Sequence, residues 1–499
     1  MEFFSAKNTQ LKSIISPAMI YWSSAIVIYG CFFSYNFPDP ISLGFTFKDI
    51  WQYLSALQAL LESPISPANP FVATEESSRL FTPLYVLAAS VGHWLGWSQI
   101  DAYLFSSVIN LSLMAAGIYV FGRAFFPTPW GPAALLATTA FGAWMPFPHT
   151  GGHSPAALLE GTGYPAVTAY GIALLLWGWG IRVLDGERSR ALDAALVAII
   201  ALLVPQHQMG AGIALIGLTA FGVAWPSTLQ KRFYLGCLTT AGLILAAFWP
   251  YFDPYAILMT ANRPEWNTGM DFYSTEVLAM LFLPIIVGLY WLPQPLKKGA
   301  HLPIFLAGCG YLGLYGLGAL GSPVAHRMIL PVVLLLEILL AVGLIRSLST
   351  GMTRWNVGTI GFWAGVSIGL LIMSAMMLEE TGRKHNYLKH AEQLVSDLPS
   401  DAIIAGHFLT AGPFNAIGRK TLSSPMTEPL VEDMPQRRAL NEKLFDPTIS
   451  REERRFLMRK AGVSALVVDE VWIDRQALDA LIANSGGSRR SGPLIRLDP

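Results

Sequence analysis

The chain alternates long apolar runs with short polar breaks, and this alternation predicts a helical protein that crosses a bilayer many times. Runs near the length that spans a hydrocarbon core fall at 16–35, 102–124, 131–147, 164–182, 191–206, 209–226, 233–250, 273–292, 302–320, 326–346 and 357–378, about eleven in all. The alternation fails twice. More than sixty residues, 36–101, separate the first two runs, and beyond 378 the apolar density falls away. Inside the first interruption, 47–61 places Ile50, Leu54, Leu57 and Leu61 on one side of a helix, and 80–97 forms a second amphipathic segment bounded by Pro83 and Gly96. Both are expected to lie along the outer membrane surface. Pro64, Pro67 and Pro70 make their connection extended and stiff.

The second interruption reads as a small α/β domain. Apolar runs at 401–405 and 463–469 predict strands, and 379–398, 437–445, 451–461 and 474–483 predict helices that alternate with them. The stretch 485–492, with its Gly, Ser and Arg, is expected to be loose. The organisation that follows is a membrane body over 1–378, containing the large loop 36–101, and a soluble domain over 379–499.

Composition agrees with two zones. The chain of 499 residues is 53% hydrophobic and 13% charged, with a mean hydropathy of +0.46, which excludes an ordinary soluble protein. Of the 33 Lys and Arg, 17 lie from Arg383 onward, and of the 33 Asp and Glu, 17 lie from Glu379 onward. No basic stripe stands out in that mixture, so nucleic acid is not an expected partner. Basic residues in the short loops set the orientation: Arg182, Arg188 and Arg190, Lys231 and Arg232, Lys297 and Lys298, and Arg346 and Arg354 all fall on the side of Lys7 and Lys12. That side is cytoplasmic, so the 36–101 loop and the C-terminal domain are expected outside. Cys31, Cys237 and Cys309 all lie in apolar runs and are expected to be buried free thiols rather than a disulfide framework.

No nucleotide-binding loop, serine elbow or zinc-protease motif is present as a convincing unit. The candidate chemistry lies in the outer loops. Asp49 opens the first loop helix with Tyr53 one turn later on the same face, an arrangement suited to an acid facing a cavity; a helix-end acid in solvent fits the same pattern. His149, His153 and Glu160 cluster in the second outer loop, where a divalent cation shared with loop-one acids is conceivable but not favoured. His207, between Gln206 and Gln208, either bonds a polar substrate or caps a turn. Arg327 beside His326, at the outer start of a span, suits a phosphate, although a guanidinium snorkelling to lipid headgroups fits equally. Arg263 sits among Trp249, Tyr251, Phe252, Asp253, Tyr255 and Trp266, a mixture that could hold a sugar or form an interfacial aromatic belt.

The order of these features resembles the polytopic glycosyltransferases of the C fold (GT-C), which use lipid-phosphate-linked sugars. Phe47-Lys48-Asp49-Ile50-Trp51-Gln52-Tyr53 is similar to that family's acid-containing first loop. Leu80-Phe81-Thr82-Pro83-Leu84-Tyr85, running through Leu95-Gly96-Trp97 toward Arg123, is similar to its second surface helix and following span. Gln206-His207 and His326-Arg327 match positions where such proteins carry polar groups toward the lipid phosphate, and 402–405, 418–420 and 460–468 are similar to the small outer domain of bacterial members.

The resemblance implies a membrane-embedded transferase of a bacterial inner membrane, with its site and C-terminal domain facing the periplasm. Its donor would be a polyprenyl-phosphate-linked sugar and its acceptor a glycan, lipid or protein. Asp49 would be catalytic, and Arg327, His326, His207, Tyr53, Glu160, His149 and Arg263 would contact substrate. The chain departs from the family pattern in lacking an adjacent acidic pair at the start of loop one. One clear acid is easier to reconcile with metal-free inversion than with a metal-dependent mechanism, and no cofactor is assigned. A polysaccharide polymerase or ligase, or a transporter of lipid-linked glycan, remains an alternative; the transporter predicts acids inside the spans, which here are almost free of them.

Overall fold

The computed structural model describes residues 16–36, 49–141, 158, 161–260, 273–275, 300–321, 325–349, 387–407, 410–424 and 426–498. Its helices, in chain order, begin with Pro17–Asn36 (α1), Asp49–Glu62 (α2), Pro83–Leu95 (α3), Gln99–Phe125 (α4), Gly131–Phe141 (α5) and Pro165–Asp185 (α6). They continue with Arg190–Gln206 (α7), Gln208–Ala224 (α8), Leu229–Ala246 (α9), Pro254–Met259 (α10) and His301–Gly318 (α11). A 3-10 turn, Ala325–Met328, leads into Ile329–Ser349 (α12). The expected spans 273–292 and 357–378 lie largely or wholly outside the described residues.

The contacts divide the chain into two compact units. The first comprises 1–36, 107–248 and 261–379; the second comprises 37–106, 249–260 and 380–499.

Among the described helices, Pro17–Ser34, Gln99–Phe125, Pro165–Asp185 and Ala325–Arg346 are long and apolar enough to cross a membrane, and Gln208–Ala224 is a shorter apolar helix. Apolar solvent gives such helices no reason to associate by hydrophobicity, so small residues at the contact lines matter. α4 and α6 approach so closely that a Cβ on Gly117 would lie 2.3 Å from the Gly171 carbonyl oxygen. α6 also packs on α8, α7 on α9, α8 on α11, and α12 on α5 and α11. Polar ties cross these seams as well: Trp177 Nε1 donates to the Ala214 carbonyl at 2.9 Å, the Tyr311 hydroxyl donates to that of Ile213 at 2.7 Å, and the Tyr234 hydroxyl of α9 donates to Asp193 Oδ2 of α7 at 2.6 Å. The three cysteines correct the sequence expectation. Each is exposed, on α1, α9 and α11, because the apolar runs that hold them turn one face away from other protein.

The second unit contains the C-terminal domain, made of Tyr387–Val395 (α13), Ile403–Gly406 (β1), Ala411–Ala416 (α14), Lys420–Thr421 (β2), Met434–Leu444 (α15), Arg451–Ala461 (α16), Val463–Asp469 (β3), Arg475–Ala483 (α17), Gly487–Ser491 (β4) and Leu494–Asp498 (β5). The sheet order is β2-β1-β3-β5-β4; β2, β1 and β3 are parallel, and β5 and β4 add antiparallel. α16 shows how local sequence sets an element. Ser450 caps it by accepting from the Glu453 amide, Glu452 and Glu453 sit at its positive end, and Gly462 closes it in the left-handed region at φ 68° before β3 begins.

The expectation of a loose 485–492 is overturned. Residues 487–491 form the edge strand β4, whose exposed Gly-Ser-Arg-Arg-Ser lacks the apolar alternation that marks a strand in sequence and is recruited by backbone pairing with β5. The core of this domain gathers Leu444, Met458, Leu466, Val468, Leu481 and Leu497 between the sheet and its helices.

Candidate active site

α2 carries the candidate base. Ile50, Trp51, Leu54, Leu57 and Leu60 bury one side of it, packed against α3 and α14. Asp49 is in its first turn, where the helix dipole favours a carboxylate. With Gln52 and Tyr53 three and four residues on, Asp49 shares a helix face with a buried amide and a half-buried phenol.

Across from that face, on α3, the Tyr85 ring centroid lies 5.6 Å from that of Tyr53. Tyr85 is fully buried. Burial pushes its hydroxyl well above the ordinary tyrosine range, and nearby Tyr53, Tyr103 and Asp49 push in the same direction. The result is a carboxylate among phenols, one of which stays protonated and able to donate. Arg79 adds a cation: its Nε donates to the Thr427 carbonyl at 2.9 Å and its NH2 to Gln52 Oε1 at 3.3 Å.

The aromatic residues of the third loop have structural uses within this unit. Trp249 Nε1 donates to the Phe81 carbonyl at 3.1 Å and the Tyr251 hydroxyl donates to that of Pro64. Asp253 caps α10 by accepting from the Tyr255 and Ala256 amides at 2.9 and 3.2 Å.

The first unit holds the candidate phosphate groups. His207 ends α7 and caps α8: its Nδ1 accepts from the Gly210 amide at 2.9 Å, which places the proton of a neutral ring on Nε2. The capping reading is therefore structurally realised. Gly210 is required there, since a Cβ would meet the Ala169 Cβ at 2.2 Å and His207 Nδ1 at 2.9 Å. A small pocket beside it is lined by Ala166, Ala169, Tyr170, His207, Met209 and Ile213.

His326 and Arg327 share the 3-10 turn before α12, with His326 buried and Arg327 half-buried. That turn abuts the last turn of α11, where a Cβ on Gly318 would come within 2.6 Å of the His326 amide. His207 and the His326-Arg327 turn thus belong to two segments that both pack on α11. Also in this unit, Asn110 Nδ2 donates to the carbonyls of Thr162 and Tyr164 at 2.8 and 3.1 Å, and the Thr168 hydroxyl donates back to Asn110 Oδ1.

Buried acids that the sequence reading did not single out include Glu337 and Glu428. Glu337 lies in the middle of α12, fully buried, with Tyr29 of α1 and Tyr170 of α6 near it. It is an acid within an apolar span, which is itself a functional signal. Glu428 is buried in the second unit, and nothing in its local sequence distinguishes it from a surface acid. His149, Glu160 and Arg263 lie outside the described residues, as does His153. Among the described residues no group of three His, Cys, Asp or Glu could hold a metal ion.

No family model matches the sequence, and no curated protein matches it. Solved structures do. ArnT from Cupriavidus metallidurans in the apo state superposes with a TM-score of 0.59 at 13% identity, covering 96% of this chain and 97% of that one. The Archaeoglobus fulgidus oligosaccharyltransferase gives 0.55 at 11%, covering 94% and 71%.

The chain carries the GT-C glycosyltransferase fold.

A mycobacterial arabinofuranosyltransferase, AftD, matches at 0.50 and 16% identity over 89% of this chain and 39% of its own. ArnT from C. metallidurans has also been captured bound to undecaprenyl phosphate, in a form that superposes at 0.57 with 11% identity over the same shares of both chains. A GT-C chain is thus matched along nearly its whole length as well as in its membrane helices.

Proposed function

We propose that this protein transfers a sugar from a polyprenyl-phosphate donor to an acceptor hydroxyl in the cell envelope. The observation that carries the reading is the full-length likeness to a GT-C protein that binds undecaprenyl phosphate, in a chain whose first-loop helix opens with a carboxylate among phenols. Asp49 takes the proton of the acceptor hydroxyl as its oxygen attacks the anomeric carbon. The bond from that carbon to the phosphate oxygen breaks with inversion, and the electron pair leaves on the phosphate. Arg327, with His207 and His326, offsets the charge that develops there. Tyr53 orients the acceptor beside Asp49. The site faces the periplasm, where nucleotide sugars are absent and a lipid-carried donor is the accessible one.

The test is a transfer assay on purified protein with polyprenyl-phosphate sugars. Asp49→Asn is expected to lower the rate by about 100-fold or more, the scale of a lost general base. Arg327→Ala is expected to lower it by roughly 100-fold, as for one lost charge-stabilising donor. Full transfer by a correctly folded D49N protein would remove Asp49 from the mechanism. Movement of lipid-linked glycan across liposomes without transfer would favour the transporter instead.

A further inference from the structure

The first loop and the C-terminal domain belong to one unit, and the joint between them is built rather than incidental. Residues 69–72 extend the sheet beyond β2: Val72 bridges Thr421 in parallel, and the Thr421 amide donates to the Phe71 carbonyl at 2.7 Å. Asn415 Nδ2 donates to that same carbonyl at 3.0 Å, and Lys420 Nζ to that of Asn69. On α2, Trp51 lies so close to α14 that a Cβ on Gly412 would come within 2.8 Å of the Trp51 Cβ.

At the centre of this joint is a small charged knot. Arg79 reaches the Thr427 carbonyl with one nitrogen and Gln52 of α2 with another. The next residue after Thr427 is Glu428, only 3% exposed. Arg438 closes the other side, its NH2 donating to the Met426 carbonyl at 2.7 Å. The groups bearing on the Glu428 carboxyl are Arg79, Arg438 and the Ser78 hydroxyl.

We propose that Arg79 and Glu428 are positioning residues through which the C-terminal domain sets α2, and with it the carboxylate of Asp49. Gln52 is the contact that transmits this, one turn from Asp49. The functional half of the proposal rests on Asp49 being the base. The structural half does not.

Burial raises the Glu428 carboxyl to about 7, against the lowering pull of Arg79 and Arg438. It is therefore neutral in acid, and Arg79 is left to bond Thr427 and Gln52. As pH rises through 7 the carboxyl ionises in a sealed site. The new charge competes for the Arg79 guanidinium and favours opening to water, and both effects loosen α2.

The deciding experiment is hydrogen exchange on the full chain at pH 6 and 8, corrected for intrinsic rates. Peptides from α2 are followed and β3 serves as the internal reference. In the native protein α2 is expected to exchange several-fold faster at pH 8 while β3 holds. Glu428→Gln is expected to abolish that pH difference. Arg79→Lys, which keeps the charge but cannot fork to both partners, is expected to loosen α2 at both pH values.

Protection of α2 that ignores pH and survives both variants would overturn the proposal. So would an E428Q enzyme whose pH-rate profile for transfer matches the native one despite altered α2 exchange. If D49N proves fully active, the exchange measurement still reports on the joint, and only the assignment of the base fails.

Discussion

Each of the two units of this protein is held together internally by its own means. Helices of the membrane unit meet through glycines and close backbone contact, with side-chain ties such as that of Trp177 to Ala214 beside them. The loop-and-tail unit is stitched by side chains that reach backbone carbonyls hundreds of residues away, as Arg79 does to Thr427 and Asn415 to Phe71. The difference follows from solvent. In lipid the tight fit of small residues supplies the dispersion energy that holds helices together, and in water fixed hydrogen bonds supply the register that apolar burial alone leaves loose.

The comparison breaks most visibly at the glycine seam. Gly171→Leu would drive a branched side chain into the α4 backbone, where even a Cβ meets the Met114 amide nitrogen at 2.7 Å. Overpacking of this kind costs about 3 kcal/mol or more. A lowered thermal midpoint of the membrane unit, or loss of folded protein, is the expected measurement.

Arg454→Ala makes the matching cut in the other unit. Its buried guanidinium serves the carbonyls of Leu444, Asp446 and Asn484 at 3.0, 2.8 and 3.3 Å, all of which the variant leaves without that donor. Loss of about 3 kcal/mol from the C-terminal domain is expected, read as faster proteolysis there with the membrane helices intact.

A titration sharpens the contrast further. Glu428 has its folded-state value raised to about 7 from an ordinary value of 4.5. A raised acid contributes stability that is complete below 4.5 and is lost as pH climbs through 7, on the order of 3 kcal/mol over the window. Denaturant midpoints of the loop-and-tail unit should fall across that range, and E428Q should flatten the fall.

The smallest effect is expected at Gly212. A Cβ there meets nothing within 4 Å, unlike its neighbour Gly210. Gly212→Ala should therefore be neutral or stabilising by up to about 1 kcal/mol in a thermal scan, since Ala is the better helix former.

Elements whose evidence is local were legible in the chain. The expected helix at 451–461 and strand at 463–469 recur with the same bounds, because Ser450, Glu453 and Gly462 punctuate the helix and an apolar run follows it. The loop helix expected at 47–61 is observed as Asp49–Glu62, and the apolar spacing of three and four explains why. What could not be read is what depends on distant partners. β2 is two residues long and exists because β1 and residues 71–72 flank it. Glu428 looks like any surface acid until Arg79 and Arg438 are folded around it. Asp49 was legible as a helix-opening acid, whereas its phenolic surroundings required α3 and the start of α4 to be in place.

The strand pairing of Val72 with Thr421 also bears on how the chain is made. The first loop leaves the ribosome roughly 350 residues before the strand that completes its edge. At about 5–20 residues per second, that is an interval of roughly 20 to 70 seconds. Throughout it, the backbone of Phe71 lacks the partners it has in the finished molecule, and the pairing that finally satisfies it is among the least local in the chain. The unit that carries the candidate base therefore cannot close its sheet edge until residue 421 has been made.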